Sequence, residues 1–278
     1  MREKAVLLGP TRELVGIMTE PRGEEAKEGP AVILLNAGLV HRVGPNRLYV
    51  HLARELASAG FRSLRFDLSG IGDSRSRNEP FLQAAVADTR GAMDFVSSTR
   101  ATQRFVLMGI CSGADLALQV ARDDPRVAGL VLIEGFGLLA QGSLRYLFDA
   151  NRHRLLRPGS WLRFLAGRSE LWTDLRAAAT PREEAASDRP GSTFTSPAPV
   201  LADLRIVGER GVRFLFAYAG KGPAWFAHRT MLKKQIQPLE LAGRARVQHF
   251  EHTDHVFTPL EAQDALIQGI RGFMSTLG

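Results

Sequence analysis

Residues 105–114 have the sequence FVLMGICSGA, in which an apolar run typical of a buried β-strand is followed by a tight turn and a helical pattern. In a nucleophile elbow the chain turns so sharply that the residues two before and two after the nucleophile must be small. Gly109 and Gly113 hold those positions around Cys111. The stretch therefore predicts a thiol presented on a strained backbone at the end of a strand.

Ser112 is the competing nucleophile in this turn. Its neighbours at the same spacing are Ile110 and Ala114, and a β-branched isoleucine suits the tight position badly. The register therefore favours the thiol of Cys111, and a thiolate is stabilised by the positive end of the helix dipole. The alternative is a buried structural cysteine without a chemical role.

The sequence around this turn alternates between short apolar runs and helical patterns. This alternation is typical of β-α-β crossover units in a mostly parallel sheet with flanking helices, so we expect the α/β fold class. Strands are predicted at 14–19, 31–36, 61–67, 105–110, 128–133, 212–218 and 246–250, and helices at 46–59, 81–98, 114–122 and 259–274.

One region interrupts the alternation. Residues 138–199 are first mostly helical, with Trp and Arg, and then rich in Pro, Ser and Thr, which suggests an inserted lid. Residues 1–137 and 200–278 are expected to form a single core domain.

Composition narrows the possible partners. The excess of basic residues that gives the net charge of +7 is scattered along the chain, and the sequence contains no nucleic-acid-binding motif. A single cysteine excludes an intramolecular disulfide framework and a Cys-rich metal site. The N-terminal residues do not resemble a secretory signal, and no apolar run is long enough to cross a bilayer. We expect a cytoplasmic protein with no nucleic-acid partner and no stable membrane insertion.

Three further motifs follow the order of the α/β-hydrolase superfamily, which the chain resembles. Residues 36–38 follow a strand where the superfamily has its oxyanion loop, residues 67–74 match its Asp-x-x-Gly-x-Gly-x-Ser turn, and residues 254–257 resemble its histidine loop. More narrowly, the chain is similar to small bacterial exosortase-associated hydrolases, which are related to serine aminopeptidases. In having a cysteine at the nucleophile position, the chain resembles dienelactone hydrolases and the Dieckmann cyclases that release tetramate polyketides.

The resemblance implies a catalytic role for His255, as the general base that takes the proton of Cys111. The superfamily usually has an aspartate after the strand predicted at 212–218, but residues 219–223 contain no carboxylate. Glu134, which follows the strand predicted at 128–133, is therefore the expected acid, as in some relatives. Asp254 is a weaker candidate because it is adjacent to the histidine, and a Cys–His dyad without an acid is also possible.

The remaining site residues have supporting roles. Backbone N–H groups of Ser112 and of Ala37 or Gly38 are expected to form the oxyanion hole. Asp67 is expected to fix loops beside the site rather than to react. His249, His252 and His255 straddle a strand and a loop, where their spacing does not converge, so neither a metal nor a cofactor is predicted.

These expectations lead to an acyl-enzyme mechanism. The predicted function is a hydrolase, thioesterase-like or esterase-like, acting on a hydrophobic acyl ester or thioester. The lid supplies candidate substrate-covering residues, Tyr146, Phe148, Trp161 and Trp172, and basic residues that could meet an acidic acyl carrier protein. The alternatives are an acyltransferase or Dieckmann-type cyclase of natural product biosynthesis, and a non-catalytic binding protein.

Overall fold

The computed structural model describes residues 1–9, 11–22, 28–100, 102–135, 197–220, 241 and 243–277. Within these residues the chain forms an eight-stranded sheet. In chain order its strands are β1 (Arg2–Leu8), β2 (Leu14–Glu20), β3 (Ala31–Leu35), β4 (Ser63–Phe66), β5 (Phe105–Ile110), β6 (Val127–Ile133), β7 (Arg213–Ala219) and β8 (Ala245–Phe250).

The spatial order of the strands is β1-β2-β4-β3-β5-β6-β7-β8. β2 pairs antiparallel with β1 and β4, and the six strands from β4 to β8 across the sheet run parallel. The carboxyl ends of the parallel strands therefore meet at one edge, where α/β folds place their ligand sites.

Helices cover both faces of the sheet, which explains why its central strands are apolar throughout. Phe105 and Leu107 of β5 enter one core, whereas Val106 and Met108 enter the other. The first core is completed by α2 (Phe81–Arg100), α3 (Ser112–Asp123) and α4 (Pro197–Glu209), and the second by α1 (Leu48–Ser58) and α5 (Leu260–Met274).

The predicted α/β fold is confirmed, and each predicted strand lies within two residues of an observed one. Strand β1 was not predicted from the sequence. It is a largely exposed edge strand, and its charged residues interrupt the apolar pattern of a strand. The sequence analysis also did not predict α4, whose first three residues fall within the predicted lid. The other lid residues, including Tyr146, Phe148, Trp161 and Trp172, lie outside the described part of the chain.

The turn between β5 and α3 leaves no room for side chains at its two glycines. A Cβ atom on Gly109 would lie 2.1 Å from the carbonyl carbon of Gly113. A Cβ atom on Gly113 would lie 2.5 Å from the carbonyl oxygen of Asn36. Both distances are well below van der Waals contact, so the elbow requires glycine at both positions.

Replacement of Gly109 by alanine should therefore lower the free energy of unfolding by about 3 kcal/mol, because the new methyl group overlaps with backbone rather than with a movable side chain. Gly91 in α2 is the matched control, since a Cβ there meets nothing within 4 Å. Gly91→Ala should raise stability by about 0.5–1 kcal/mol. Urea unfolding measures both changes, and equal midpoints for the two variants would contradict this account of the turn.

Candidate active site

Cys111 is the residue at the sharp turn between β5 and α3. It is exposed, and its backbone has φ 56° and ψ −119°, a conformation that costs a non-glycine residue about 1–3 kcal/mol. Backbone hydrogen bonds hold it there: its N–H donates to Ile133 O at 2.8 Å, and its carbonyl accepts from Ala114 N at 3.0 Å. Neighbouring β6 and the first turn of α3 thus fix the thiol in place.

The side chain of Tyr49 in α1 is buried beneath the elbow and contacts the backbone next to it. Its hydroxyl donates to Leu35 O at 2.8 Å at the end of β3 and also makes a hydrogen bond with the backbone of Ile110. Burial raises the pKa of Tyr49 above its ordinary value, so this hydroxyl stays protonated. It joins the strand that precedes the oxyanion loop to the strand that carries the cysteine.

Glu134 is the first residue after β6, and its side chain is fully buried. Its backbone also has a positive φ of 52°, and its N–H donates to Ala217 O at 2.9 Å. One carboxylate oxygen, Oε1, accepts a hydrogen bond from the Ala219 N–H at the end of β7. The carboxylate thus reaches the place where the superfamily pattern led us to look for an aspartate.

His255, in the loop between β8 and α5, connects the other two side chains. Its Nδ1 lies 2.8 Å from Glu134 Oε2, and its ring interacts with the side chain of Cys111 strongly enough to change its pKa. These two interactions, the one with Cys111 being the larger, outweigh partial burial and raise the pKa of His255 from 6.5 to about 9. The structure therefore brings together the three residues that the sequence analysis selected.

The loop that carries His255 is held by residues that the sequence analysis missed. Asn46 donates to Thr258 Oγ1 at 3.1 Å, and buried Gln263 donates to Phe257 O at 3.0 Å. Gln263 also bonds to His51 of α1 at 3.1 Å. The sequence did contain a signal for this network. Gln263 lies among the apolar positions of α5, and a buried amide requires hydrogen-bond partners.

Ser112, the competing nucleophile, has a different set of contacts. Its Oγ accepts a hydrogen bond from the Gly38 N–H at 2.9 Å. The Cys111 side chain, by contrast, is the largest cause of the raised pKa of His255. The hydroxyl of Ser112 is thus engaged by the loop after β3.

The segment expected to form the oxyanion loop is tied to the sheet by polar side chains. Asn36 donates to Val40 O at 3.0 Å and accepts from Leu68 N at 2.9 Å. The carboxylate of Asp67 is fully buried, accepts from Arg42 N at 2.6 Å and pairs with the Arg42 guanidinium. Asp67 thus lies beside the site and holds the loop, and it does not contact Cys111 or His255 in any hydrogen bond of the described residues.

Backbone N–H groups of Ser112 and of Ala37 or Gly38 were the expected oxyanion donors. Ser112 is the first residue of α3, so its N–H has no acceptor within the helix and lies beside Cys111. Ala37 pairs with Val40 in an isolated bridge. Gly38 was expected as a direct donor, but its N–H is directed at Ser112 Oγ.

The described residues show neither a metal cluster nor a membrane-spanning helix. In the described ranges, no group of three or more His, Cys, Asp or Glu side chains is arranged to hold a metal ion. No helix among those residues combines the length and the apolar character needed to span a bilayer.

Comparison with known proteins agrees with this architecture. The family model described as "Serine aminopeptidase, S33" matches residues 30–173, more than half of the 278 residues. The chain thus has the α/β-hydrolase fold and belongs to this serine aminopeptidase family. A search of curated proteins finds no match.

Solved structures show the same fold at low sequence identity. An esterase of Pyrococcus furiosus has a TM-score of 0.65 at 11% identity, covering 99% of this chain and 91% of its own. The thioesterase domain from the curacin biosynthetic pathway has a TM-score of 0.59 at 17% identity, covering 97% of both chains. An alpha-beta serine hydrolase homologue from Coxiella burnetii has a TM-score of 0.55 at 15% identity, covering 97% of both chains.

The raised pKa of His255 gives a direct test of these contacts. Because the folded value of about 9 exceeds the ordinary 6.5, the protonated ring stabilises the fold fully below pH 6.5 and loses this effect as the pH rises through 9. In NMR titrations the midpoint should move down in Cys111→Ser, which removes the sulfur that interacts with the ring, and in Glu134→Gln, which removes the carboxylate. An unchanged midpoint in both variants would contradict the described geometry.

Proposed function

We propose that the protein is an acyl-enzyme-forming hydrolase in which Cys111 attacks a hydrophobic acyl ester or thioester. The observation that carries this proposal is the position of His255: its Nδ1 lies 2.8 Å from Glu134 Oε2, and the Cys111 side chain is the largest cause of its raised pKa. A nucleophile, a base and a group that orients the base are the three parts of a catalytic triad. Their positions after β5, β8 and β6 place them at one edge of the sheet.

In the first half-reaction the Cys111 proton is held by His255, whose pKa is raised to about 9, and the thiolate attacks the acyl carbon. The tetrahedral intermediate collapses when the C–O or C–S bond to the leaving group breaks, and the imidazolium returns its proton to that group. In the second half-reaction His255 removes a proton from water, the resulting hydroxide attacks the thioester, and the acid and free thiol are released. Each step needs only the ring nitrogen that faces Cys111.

Glu134 would act through the other nitrogen of His255. The carboxylate accepts the Nδ1 hydrogen, which leaves Nε2 to exchange a proton with the thiol. It also balances the positive charge of the imidazolium in a buried position. The Ala219 N–H holds Oε1, so the carboxylate oxygen that faces His255 is fixed in orientation.

Apolar residues next to the site support a hydrophobic acyl group. Leu39 is 77% exposed and Val40 is 38% exposed, and both directly follow the Ala37–Gly38 segment. Large exposed aliphatic side chains beside a reactive centre commonly bind ligand. Two proteins of the same fold, an esterase and a thioesterase domain, support ester or thioester chemistry.

The first test is formation of a covalent adduct. Incubation with octanoyl-N-acetylcysteamine should add one octanoyl group, located on Cys111 by intact-mass and peptide mass spectrometry, and Cys111→Ala should acquire none. Rapid loss of the group to water supports hydrolysis, whereas a stable adduct released only by an amine, alcohol or carbon nucleophile supports the acyltransferase or cyclase alternative. If the wild-type protein neither acquires an adduct nor releases octanoate, acyl-enzyme chemistry is rejected and the binding-protein interpretation is left.

Carrier-protein delivery is a separate question within this proposal. The basic lid residues on which it depends lie outside the described part of the chain. Comparison of acyl transfer from an acyl carrier protein and from the small thioester, with the same octanoyl group, would show whether the carrier matters. Equal kcat/KM values for the two donors would reject a role for the carrier.

The second test concerns the acid. Glu134→Gln should lower kcat by about 10- to 100-fold, less than the loss expected with a serine nucleophile, because a thiolate forms more readily than an alkoxide. Asp254→Asn is the matched control: Asp254 adjoins His255, yet its Oδ1 accepts from Thr258 N, and asparagine keeps that acceptor. The control should retain kcat within about twofold. Equal loss in both variants would assign Glu134 only a role in loop stability.

A further inference from the structure

The hydrogen bond between Gly38 N–H and Ser112 Oγ spans the two segments that form an oxyanion hole in this fold. Gly38 lies in the loop after β3, and Ser112 is the first residue of α3, directly after Cys111. The bond is 2.9 Å long, a normal length for this donor and acceptor. As a result, the Gly38 N–H is already used in the structure and is directed at a hydroxyl oxygen.

A serine hydroxyl that accepts one hydrogen bond still has its own hydrogen to donate. Ser112 Oγ makes no other hydrogen bond among the described residues, and the residue is only half buried. Donation of the Gly38 N–H to this oxygen polarises the O–H group and makes it a better donor, as in other hydrogen-bonded chains. The hydroxyl is therefore oriented and strengthened by the oxyanion loop.

We propose that the Ser112 hydroxyl is a catalytic donor to the oxyanion, so that Gly38 acts through Ser112 rather than directly. The hole would then contain two donors from one residue, the Ser112 N–H at the start of α3 and the Ser112 O–H. This inference rests on the proposed function, since it needs a tetrahedral intermediate formed on Cys111. No bond is made or broken at Ser112: its hydrogen bond shortens as negative charge develops on the substrate oxygen.

The alternative is that Ser112 merely covers the Gly38 N–H in the absence of substrate and moves away when substrate binds. The two possibilities predict opposite effects of removing the hydroxyl. If Ser112 donates, its loss removes a donor and slows acylation. If Ser112 only covers Gly38, its loss frees the glycine N–H and leaves acylation unchanged or faster.

The experiment compares two reactions of the same thiol in Ser112→Ala, Ser112→Thr and the wild type. Acylation by octanoyl-N-acetylcysteamine passes through an oxyanion, whereas alkylation by iodoacetamide is a direct displacement at carbon and does not. In Ser112→Ala the acylation rate should fall by about tenfold or more, since loss of one oxyanion donor typically costs 10²–10³-fold and the freed Gly38 N–H can replace part of it. Alkylation should stay within about twofold of wild type, and Ser112→Thr, which keeps a hydroxyl, should restore most of the acylation rate.

Ser98→Ala is the control for a general effect of losing a serine hydroxyl, because Ser98 Oγ only donates to Phe95 O on the surface of α2. Equal or faster acylation of Ser112→Ala would overturn the proposal, and so would a parallel fall in acylation and alkylation, which would indicate a role in shaping the thiol. An octanoyl group on Ser112 itself would also overturn it. If wild-type Cys111 is alkylated normally but the protein neither acquires an acyl adduct nor releases octanoate, the proposed function and this inference are rejected together.

Discussion

The arrangement of this site depends on one steric constraint, the close backbone approach at the turn after β5. The absence of Cβ atoms at Gly109 and Gly113 lets the start of α3 lie against both the end of β5 and the carbonyl oxygen of Asn36. Cys111, between these two glycines, has a positive φ of 56°. The thiol is consequently exposed at the sheet edge rather than buried with its neighbours in the core.

A second positive-φ residue, Glu134, occupies the equivalent position on the neighbouring strand. The two strained residues are coupled, because Cys111 N donates to the carbonyl group immediately before Glu134. The carboxylate then crosses from the end of β6 to the end of β7 and meets His255 from there. A carboxylate from the end of β6 thus reaches the end of β7, since neighbouring parallel strands lie only about 5 Å apart.

Hydrogen bonds from buried amides position the two loops around Cys111. Asn36 fixes the loop after β3, and Gln263 fixes the loop after β8. Both side chains are almost completely buried, so each lost hydrogen bond would leave a polar group without water. The site is therefore held by the same requirement for satisfied polar groups that stabilises the core.

The sequence alone determined the fold class, and it predicted the tight turn around Cys111 and the pairing of Glu134 with His255. It could do so because strand periodicity, paired glycines and strand ends are local features that residue types reveal directly. Only the tertiary structure decided that these side chains meet, that Gly38 N–H is directed at Ser112, and that Asn46 and Gln263 hold the histidine loop. Those facts depend on distances between segments far apart in the chain, which are set by strand order and packing and leave no periodic signal in the sequence.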